Sequence, residues 1–476
     1  MHNAFRLLAL SLACFAAACS GSRSALPAGS GTQPRVVSAG SEARVHLAAE
    51  LHRLGLEEGR SYEMLKSLLR EAPGRLSGSP MAEKAVDWAQ RTMQSIGLVN
   101  IRRQPCMVPV WERGEVERLE LIEGEKRSQL PILALGGSIG TPAGGLDGEL
   151  IVVRSFDELR TLGRKHCEGK IVLFNRPMPR ALRSTFVAYS QTVPQRVSGA
   201  AEAAKLGAKA VVVRSMTTLV DDLPHTGVMR YQDGVPKIPA VAIATRAAAQ
   251  LAARIKKGEK LRLHLELNCR SLPDRRSYNV IGEIAGSKHP EQIVLVGGHL
   301  DSWDICEGAH DDGAGVVHAL EACRLILAAG LRPKCTIRCV LFMNEENGLR
   351  GAHAYDREHV GDKHLAAIES DRGGYSPLGF TTSLRGPALD WAQNLAAALR
   401  AYDMGAMIQG GGGADISPLK KRGVPVFGLA TISHRYFDMH HSRRDKLEAV
   451  NPRELALGAV AVAYLAQVLS EEAGRR

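Results

Sequence analysis

The fold is decided by the stretch Ile293-Val294-Leu295-Val296-Gly297-Gly298-His299-Leu300-Asp301-Ser302. Four apolar residues form a strand, and the two glycines let the backbone turn close to a ligand before His299 follows. A lone histidine after a strand is usually structural, but a neutral imidazole is also a common zinc ligand. Asp301 is either an ordinary loop carboxylate or the group that orients the other nitrogen of that ring. The neighbouring segments decide between these alternatives.

Strands and helices alternate from residue 278 to the C-terminus. We predict strands at residues 279–284, 293–296, 336–342 and 424–429, and helices at residues 313–328, 388–400 and 452–469. This pattern is typical of an α/β fold, with a mixed, mostly parallel sheet covered by helices on both faces. Ligands of such sheets gather at the carboxyl ends of the strands. His299 and Glu345 each follow a strand by three residues, so we expect both at that edge.

Four carboxylates lie near these strand ends. Asp311 and Asp312 open the helix that follows His299, and Asp312 is interpreted as a helix cap. Asp311 is interpreted as a bridge, because two metal ions about 3.5–4 Å apart share one carboxylate. Glu345 and Glu346 follow the strand at residues 336–342, where one glutamate can bind metal while the other accepts a proton from water.

Two weaker motifs complete the set, Glu369-Ser370-Asp371 and His440-His441-Ser442-Arg443-Arg444-Asp445. Each alone is ambiguous, because a pair of histidines is equally compatible with a structural turn. Taken together, two imidazoles, three ligating carboxylates and one free carboxylate can hold two metal ions around one activated water. The residues therefore predict a two-zinc peptidase.

The N-terminus predicts export. Residues 1–18 have a basic head and an apolar run that is too short to span a bilayer, which is the layout of a secretory signal. Ala16-Ala17-Ala18-Cys19 resembles a bacterial lipobox, which would place a lipid anchor at Cys19; the alternative is an ordinary cut after Ala18. We predict a cell-envelope protein, anchored at the outer membrane or in the periplasm, or a secreted one. Residues 19–40 are rich in small residues and predict a flexible tether.

Composition excludes other classes of protein. The formal net charge is +11, but lysine and arginine are dispersed and no RNA- or DNA-binding motif accompanies them, so we predict no nucleic-acid partner. Seven cysteines follow Cys19, which leaves at least one thiol unpaired unless it pairs between chains. With 476 residues, of which 45% are hydrophobic, the chain is long enough for two or three domains.

Three segments follow the tether. Residues 41–129 are predicted to be a helical N-terminal part of the catalytic domain, with helices at residues 41–54, 61–70 and 81–96. Residues 130–269 contain short apolar strands at 149–153, 171–174, 210–213 and 238–243, alternating leucines at 261–267 and a helix at 199–206. This segment resembles a protease-associated domain, inserted into the catalytic domain. Residues 270–476 are predicted to be the zinc peptidase catalytic domain.

After the tether, the chain resembles di-zinc exopeptidases of the carboxypeptidase Q type. The most specific stretches are Gly-Gly-His-Leu-Asp-Ser-Trp-Asp at 297–304, Asp-Asp-Gly-Ala-Gly at 311–315, Glu-Glu at 345–346, Glu-Ser-Asp at 369–371 and His-His-Ser-x-x-Asp at 440–445. The resemblance implies two Zn²⁺ per chain and a homodimer. It implies Glu345 as the general base and, as metal ligands, His299, Asp311, Glu346, Asp371 and His441. It also implies a cis peptide bond between Asp311 and Asp312.

The sequence departs from related aminopeptidases at one position. Many of them place a tyrosine just before the segment that matches residues 413–416, whereas here Gln409 is followed by four glycines, which leaves the oxyanion partner open. Asp415 and His440 are candidate substrate contacts, and His440 is also the alternative to His441 as a ligand. Cys306 lies between two ligands and is interpreted as a bystander, although a thiolate can bind zinc.

Together with the metal-binding residues, the resemblance implies a metal-dependent exopeptidase that hydrolyses dipeptides or short peptides held by a free terminus. One alternative is a glutaminyl cyclase with a single zinc on the same fold. A second alternative is a receptor or scaffold without catalysis, but such proteins typically lose ligands and none is missing here.

Overall fold

The structure of the chain, a computed structural model, describes residues 39–474. The predicted signal, the lipidation site Cys19 and nearly all of the tether lie outside the described residues. The strands in chain order are β1 (Val99–Glu112), β2 (Glu117–Glu123), β3 (Lys126–Leu130), β4 (Ile132–Ala134), β5 (Leu146–Val153), β6 (Ile171–Phe174), β7 (Ala210–Arg214), β8 (Ala240–Ile243), β9 (Arg262–Leu267), β10 (Arg270–Ile284), β11 (His289–His299), β12 (Cys335–Phe342), β13 (Lys363–Glu369), β14 (Pro377–Thr382), β15 (Ala406–Gln409) and β16 (Val426–Thr431).

The helices lie between and around these strands. In chain order they are α1 (Ala39–Glu57), α2 (Ser61–Glu71), α3 (Pro80–Ile96), α4 (Phe156–Cys167), α5 (Thr185–Ser190), α6 (Pro194–Val197), α7 (Gly199–Ala204), α8 (Thr245–Lys256), α9 (Ala314–Ala328), α10 (Arg350–Glu358), α11 (Pro387–Leu395), α12 (Ser417–Lys421), α13 (Tyr436–Met439) and α14 (Pro452–Glu471). A π-helical turn (Ala309–Gly313) precedes α9, and short 3₁₀ turns lie at Ala397–Tyr402, Ser433–Arg435 and Leu447–Ala449.

The first sheet carries the predicted strand ends. Its eight strands lie in the order β1-β10-β12-β11-β13-β16-β14-β15, and the four central strands from β12 to β16 are parallel. His299 at the end of β11 pairs with Phe342 at the end of β12, so the two strands finish level with each other. Every residue of β12 is buried, as expected for a central strand covered on both faces. The predicted α/β fold with a mixed sheet is confirmed.

Two long helices pack together beneath this sheet. Helix α14 contacts α9, and it begins at a cap in which Asn451 accepts hydrogen bonds from the backbone N–H groups of Arg453 and Glu454, with Pro452 at the first helical position. By length and composition α14 could cross a membrane, but 83% of that apolar window is buried inside the fold. The apolar residues of α14 are therefore part of the hydrophobic core.

The helices predicted near the N-terminus are all present, and α3 ends at Gly97, whose φ of 90° stops the helix. The strand β1 was not predicted, so describing residues 41–129 as helical was incomplete. Two prolines and two adjacent arginines make the sequence of β1 unlike that of a typical strand. It tolerates them because it is an edge strand, paired only with β10.

The second sheet is built from the strands between residues 117 and 267. Its order is β3-β2-β9-β5-β6-β7-β8-β4, with β5 to β8 parallel. Strand β9 alternates between exposed or half-buried and buried positions, as its leucines predicted. Strand β2 pairs with β9, so this sheet begins at Glu117, ahead of the boundary predicted at residue 130. The domain limits and the likeness to a protease-associated domain stay predictions.

Candidate metal centre

Asp311 lies at the middle of a buried cluster of histidines and carboxylates. Its Oδ1 is 3.3 Å from Nε2 of His299, and its Oδ2 is 3.3 Å from Nε2 of His441. The residue sits in the π-helical turn, where the peptide bond to Asp312 is cis, as the resemblance implied. Each carboxylate oxygen of Asp311 therefore faces a different imidazole.

Two further carboxylates complete two separate groups. Asp371, two residues beyond β13, brings its Oδ1 to 3.7 Å from Nε2 of His299. Glu346 brings its Oε2 to 3.0 Å from Nε2 of His441. The structure thus gathers the five predicted metal ligands, which come from four loops, around the carboxyl edge of the first sheet.

The cluster has the character of a metal site. Within the described residues, Oδ2 of Asp311 accepts no well-directed hydrogen bond although it lies near two imidazoles, and the buried Oε1 of Glu346 has no partner. Buried carboxylate oxygens without a partner cost free energy unless a cation balances them. Donor atoms of His299, Asp311 and Asp371 lie within 4.8 Å of one another, as do those of Asp311, His440 and His441. The donor set of imidazole and carboxylate fits zinc.

Asp301 holds the loop after β12. Its Oδ1 accepts hydrogen bonds from the backbone N–H groups of Asn344 at 2.7 Å and Glu345 at 3.0 Å, and its Oδ2 accepts from Glu346 at 3.3 Å. Nδ1 of His299 lies 3.0 Å from the carbonyl oxygen of Asp301 but 3.9 Å from its carboxylate. The imidazole thus hydrogen-bonds the backbone carbonyl of Asp301, while the carboxylate of Asp301 accepts from three N–H groups. An orienting role of that carboxylate stays a prediction.

Three other buried side chains fix the remaining ligand loops. Asp312 accepts hydrogen bonds from the backbone N–H groups of His299 at 3.0 Å and Gly315 at 2.9 Å. Besides the predicted contact at the start of the helix, it therefore also holds the end of β11, which carries His299. Asp445 accepts from the backbone N–H groups of His310 at 2.7 Å and Asp311 at 3.1 Å. The guanidinium of Arg75 donates to three carbonyls of the loop after β11, those of Leu300, Glu307 and Gly308.

A cavity of about 270 Å³ opens beside the cluster. One wall carries Glu345, Glu346 and Asp371, and His440 lines it as well, with Nε2 3.7 Å from Oδ2 of Asp311. The opposite wall comes from α5 and α6, which belong to the segment between the strands of the second sheet. Residues from both halves of the chain thus line the cavity.

A seam of hydrogen bonds joins the two halves at the metal cluster. The backbone N–H of Thr226 donates to the carbonyl of His441 at 3.0 Å, and Nδ1 of His441 lies 3.3 Å from the carbonyl of Thr226. Nδ1 of His225 lies 2.7 Å from the carbonyl of His440. A proton on Nδ1 of His441, shared with Thr226, leaves Nε2 free to ligate.

Comparison with known proteins agrees with this geometry. Carboxypeptidase Q of Mus musculus is 38% identical to this chain over 421 residues, which is 88% of this chain and 87% of that protein. Residues 279–466 match peptidase family M28. The chain belongs to peptidase family M28. Carboxypeptidase Q of Xenopus laevis is similar to this M28 peptidase at 39% identity over 421 residues, with 88% and 87% of the two chains covered.

Solved structures share the whole architecture. The crystal structure of a peptidase M28 precursor from Shewanella amazonensis SB2B superposes with a TM-score of 0.85 and 35% identity, covering 90% of this M28 peptidase and 97% of that chain. A zinc aminopeptidase from Bacillus subtilis superposes with a TM-score of 0.62 over 85% and 93% of the two chains. Its identity of 19% shows a shared fold alone.

The histidines and carboxylates of the cluster shift one another's pKa in this M28 peptidase. Although burial opposes it, Asp311 and Asp371 hold the pKa of His299 well above its usual value. Burial also opposes the charge on His441, but Glu346 and Asp311 raise its pKa to about 9. Burial and the nearby Asp311 raise the pKa of Glu346 to about 7. Metal must displace protons from these groups in order to bind.

Two of the sequence candidates do not join the site of this M28 peptidase. Asp415 is buried, does not line the cavity, and has neither carboxylate oxygen hydrogen-bonded to a described residue, so its position does not support a substrate contact. The thiol of Cys306 points at the carbonyl of Trp303 at 3.5 Å, and burial raises its pKa well above the usual value, as for a bystander. All seven described cysteines are free.

Several residues that matter to the site escaped the sequence reasoning. Arg75 and Asp445 act on loops far away in sequence, and no local pattern marks them, although Asp445 lies in a motif that was quoted for its histidines. Tyr436 and Arg196 line the cavity from segments on which no catalytic motif falls.

Proposed function

We propose that this M28 peptidase is a di-zinc exopeptidase that hydrolyses dipeptides or short peptides held by a free terminus. The observation that carries the proposal is the double orientation of Asp311, whose two carboxylate oxygens face different histidines. A carboxylate shared between two metal ions about 3.5–4 Å apart is the arrangement of two-metal hydrolases.

The ligand assignment follows the two groups. Asp311, His299 and Asp371 would hold one zinc ion, and Asp311, His441 and Glu346 the other. Such a pair of ions would polarise the scissile carbonyl and lower the pKa of the attacking water. His440 stacks on His441 with ring centroids 3.5 Å apart but lies farther from Asp311, which supports His441 as the ligand.

Glu345 would be the general base. It lines the cavity, belongs to neither ligand group, and has its backbone N–H fixed by Asp301. Burial and the neighbouring carboxylates raise the pKa of Glu345 in the metal-free chain. Positive charge bound at the cluster would favour the ionised carboxylate, which would take a proton from the attacking water and return it to the leaving amine.

Tyr436 is the candidate donor to the oxyanion. It lines the cavity, and the four glycines after Gln409 offer no side chain in the segment where many related aminopeptidases place a tyrosine. Burial and the charges of Asp311 and Asp371 raise the pKa of Tyr436 well above its usual value. The phenol therefore keeps its proton and can donate a hydrogen bond to developing charge.

The two alternatives make different predictions. A single-zinc cyclase needs only one ligand group, and the second group around His441 and Glu346 speaks against it. A scaffold without catalysis has no need of a free carboxylate beside a full set of ligands.

A dipeptide library assayed with zinc-loaded protein tests the function. We expect hydrolysis of free dipeptides at a zinc-to-protein ratio of two. A ratio of one with cyclisation of glutaminyl peptides would establish the cyclase instead. A fully loaded protein that is inert towards the whole library would establish the scaffold.

We propose also that the chain is exported and anchored through a lipid at Cys19, which rests on the sequence pattern of residues 1–19 alone. Palmitate labelling of cells that express the full chain should mark the wild type and not the Cys19→Ser variant. Homodimerisation and a protease-associated role for the second sheet rest on the family resemblance, and sedimentation equilibrium tests the dimer.

A further inference from the structure

A second cavity, of about 470 Å³, opens at the carboxyl edge of the second sheet. Its lining shares no residue with the lining of the catalytic cavity. Strands β5, β6 and β7 are parallel neighbours here, and Val153, Phe174 and Val213 near their ends pair level with one another. Ligands of α/β sheets gather at this kind of edge. The second sheet therefore has a place for a ligand that peptide hydrolysis does not use.

A row of polar side chains faces this cavity. Arg154, Asn175 and Arg214 each follow the level row of strand ends by one residue, so they lie side by side on one face of the sheet. Leu173, two residues before Asn175, belongs to the same core cluster as Leu251 of α8. Helix α8 therefore covers this face, and its last turns form the other side of the cavity.

The cations of the lining are not balanced by the protein. Arg154, Arg214 and Lys256 line the cavity, and in the part of the chain that the structure describes none of them has a carboxylate within ion-pair distance. The neighbouring Arg254 differs, since it pairs with Glu259 at 2.7 Å. The positive charge of this cavity is thus available to a ligand.

Glu158 is the single carboxylate among the described lining residues, and it is engaged by the start of α4. Its Oε2 accepts a hydrogen bond from the backbone N–H of Arg154 at 2.5 Å, and its own N–H donates to Oγ of Ser155 at 3.1 Å. This reciprocal pair is a capping box, which satisfies backbone N–H groups at a helix start. With three cations and one carboxylate, the lining keeps a formal charge of +2.

Arg214 is the least exposed of the three cations. Its Nη1 donates to Oδ1 of Asn175 at 3.2 Å, while its buried Nε donates to no group among residues 41–474. Burial lowers the pKa of the Arg214 guanidinium, and no neighbouring carboxylate offsets that effect. A buried N–H group without an acceptor costs free energy that a ligand oxygen would recover. Arg214 is therefore held in place by Asn175 with a donor still to be satisfied.

We propose that this cavity binds a phosphate group, carried by a soluble phosphate ester or by an anionic lipid headgroup. The donors approach from two strand ends and from α8, so they converge from several directions. A phosphate presents oxygens in as many directions, whereas the two oxygens of a carboxylate lie in one plane, and guanidinium groups pair well with phosphate. The apolar side chains of Val152 and Ile255 line the remaining volume and contact the group esterified to the phosphate.

Titration calorimetry with the zinc-loaded full chain tests the binding. Inorganic phosphate, glycerol phosphate and acetate are compared at constant ionic strength, because salt screens exposed charges. We expect saturable binding of both phosphates and weaker binding of acetate. Arg214→Met should raise the dissociation constant of glycerol phosphate about 10- to 100-fold, since it removes hydrogen bonds to a charged group. Arg214→Lys should recover part of the affinity.

The matched control is Arg164→Met, which removes an exposed arginine of α4 that pairs with Glu168. It changes the net charge equally and should bind phosphate as the wild type does. Phosphate oxygens also bind metal ions, so phosphate could bind at the zinc cluster instead. In that case Arg214→Met would bind it as tightly as the wild type, and the variant therefore separates the two sites.

Vesicles distinguish the two sources of phosphate. The full chain with Cys19→Ser is used, so that no lipid anchor contributes, and it is sedimented with vesicles of phosphatidylcholine with or without phosphatidic acid. Binding to the acidic vesicles that Arg214→Met weakens and glycerol phosphate competes with assigns a lipid headgroup. Binding of glycerol phosphate without binding to vesicles assigns a soluble ester.

Three results would overturn the proposal. The first is a wild type without saturable phosphate binding. The second is a phosphate affinity that is equal in the wild type and Arg214→Met, or that falls equally in Arg164→Met. The third is acetate that binds as tightly as phosphate, which would make the cavity a carboxylate site.

A second variant guards against misfolding. Lys256→Gln removes a cation at the exposed end of α8 without changing the core, so it should weaken phosphate binding severalfold at an unchanged melting temperature. If Arg214→Met lowers the melting temperature, Lys256→Gln decides, and an undiminished phosphate affinity in that variant would refute the site.

Discussion

The carboxylate of Asp301 holds the general-base candidate Glu345 by its backbone N–H, at 3.0 Å from Oδ1. The side chain of Asp301, two residues after the candidate ligand His299, thus positions the loop that follows the neighbouring strand β12. It does so without touching the imidazole, which uses the carbonyl of the same residue.

Replacing Asp301 by Asn should displace the loop after β12 without lowering the zinc content. The amide presents one oxygen to three N–H groups, and its NH₂ group would face a donor. We expect kcat to fall by about 10- to 100-fold, the usual effect of changing a group that supports a metal site. Zinc content, measured by elemental analysis, should stay at the wild-type ratio. Loss of zinc in step with activity would show that Asp301 acts on the ligands instead.

Replacing Glu345 by Gln should abolish the proton transfer alone. General-base catalysis contributes about 10²–10⁴-fold, so kcat should fall by that amount while zinc binding and the melting temperature hold. Glu358→Gln, at the exposed end of α10, is the control for loss of one negative charge. Turnover close to that of the wild type in Glu345→Gln would remove Glu345 from the mechanism.

Asp311→Ala should uncouple the two metal positions. A ligand at 100 times its dissociation constant stabilises a protein by about 2.7 kcal/mol, so zinc should raise the melting temperature of the chelator-treated wild type clearly. The variant should bind fewer than two zinc ions and show a smaller rise. An undiminished rise at a ratio of two would mean that another group bridges the ions.

Zinc affinity should increase with pH up to about 9. The pKa of His441 is raised to about 9 in the metal-free chain, so the imidazole is protonated below that pH and must release its proton before it can ligate. Each such proton lowers the apparent affinity about tenfold per pH unit below its pKa. Titration calorimetry in two buffers of different ionisation enthalpy counts the protons released. Affinity that is constant from pH 6 to 9 would contradict the raised pKa.

Replacing Tyr436 by Phe should lower kcat and change KM little. The hydroxyl would act on charge that exists only in the transition state, and loss of one such donor costs about 10²–10³-fold where metal does not share the task. Because zinc would share it here, the expected loss is at the lower end. Steady-state kinetics with one dipeptide separates the two constants, and an increase in KM alone would assign Tyr436 to ground-state binding.

Sequence reasoning reached His299 and Glu345 because their position is set by local pattern. Each follows a continuous apolar strand, and parallel strands bring their carboxyl ends to one edge. Asp371 and His441 needed the family resemblance, since a short polar motif in a loop carries no information about which strand end it will meet.

The contacts of Asp445 and Arg196 could not be predicted from the sequence, because each joins residues that are far apart in the chain. Asp445 acts on a backbone N–H that is 135 residues away, and Arg196 meets His441 across 245 residues. The contact of Arg196 depends on how the two sheets dock, and that of Asp445 depends on where two distant loops beside the first sheet meet. Periodicity encodes neither. Strand β1 was missed for a different reason: an edge strand has only one neighbour to satisfy, so its sequence is free to look unlike a strand.

The paired hydrogen bonds between Thr226 and His441 set a rule for engineering this enzyme. A chimera that takes the second sheet from a relative also takes from it the backbone that places the carbonyl of Thr226 beside Nδ1 of the candidate ligand His441. The junctions of such a chimera should be chosen so that residues 225–227 and 440–441 come from the same parent protein, because the backbones of these two segments hydrogen-bond to each other.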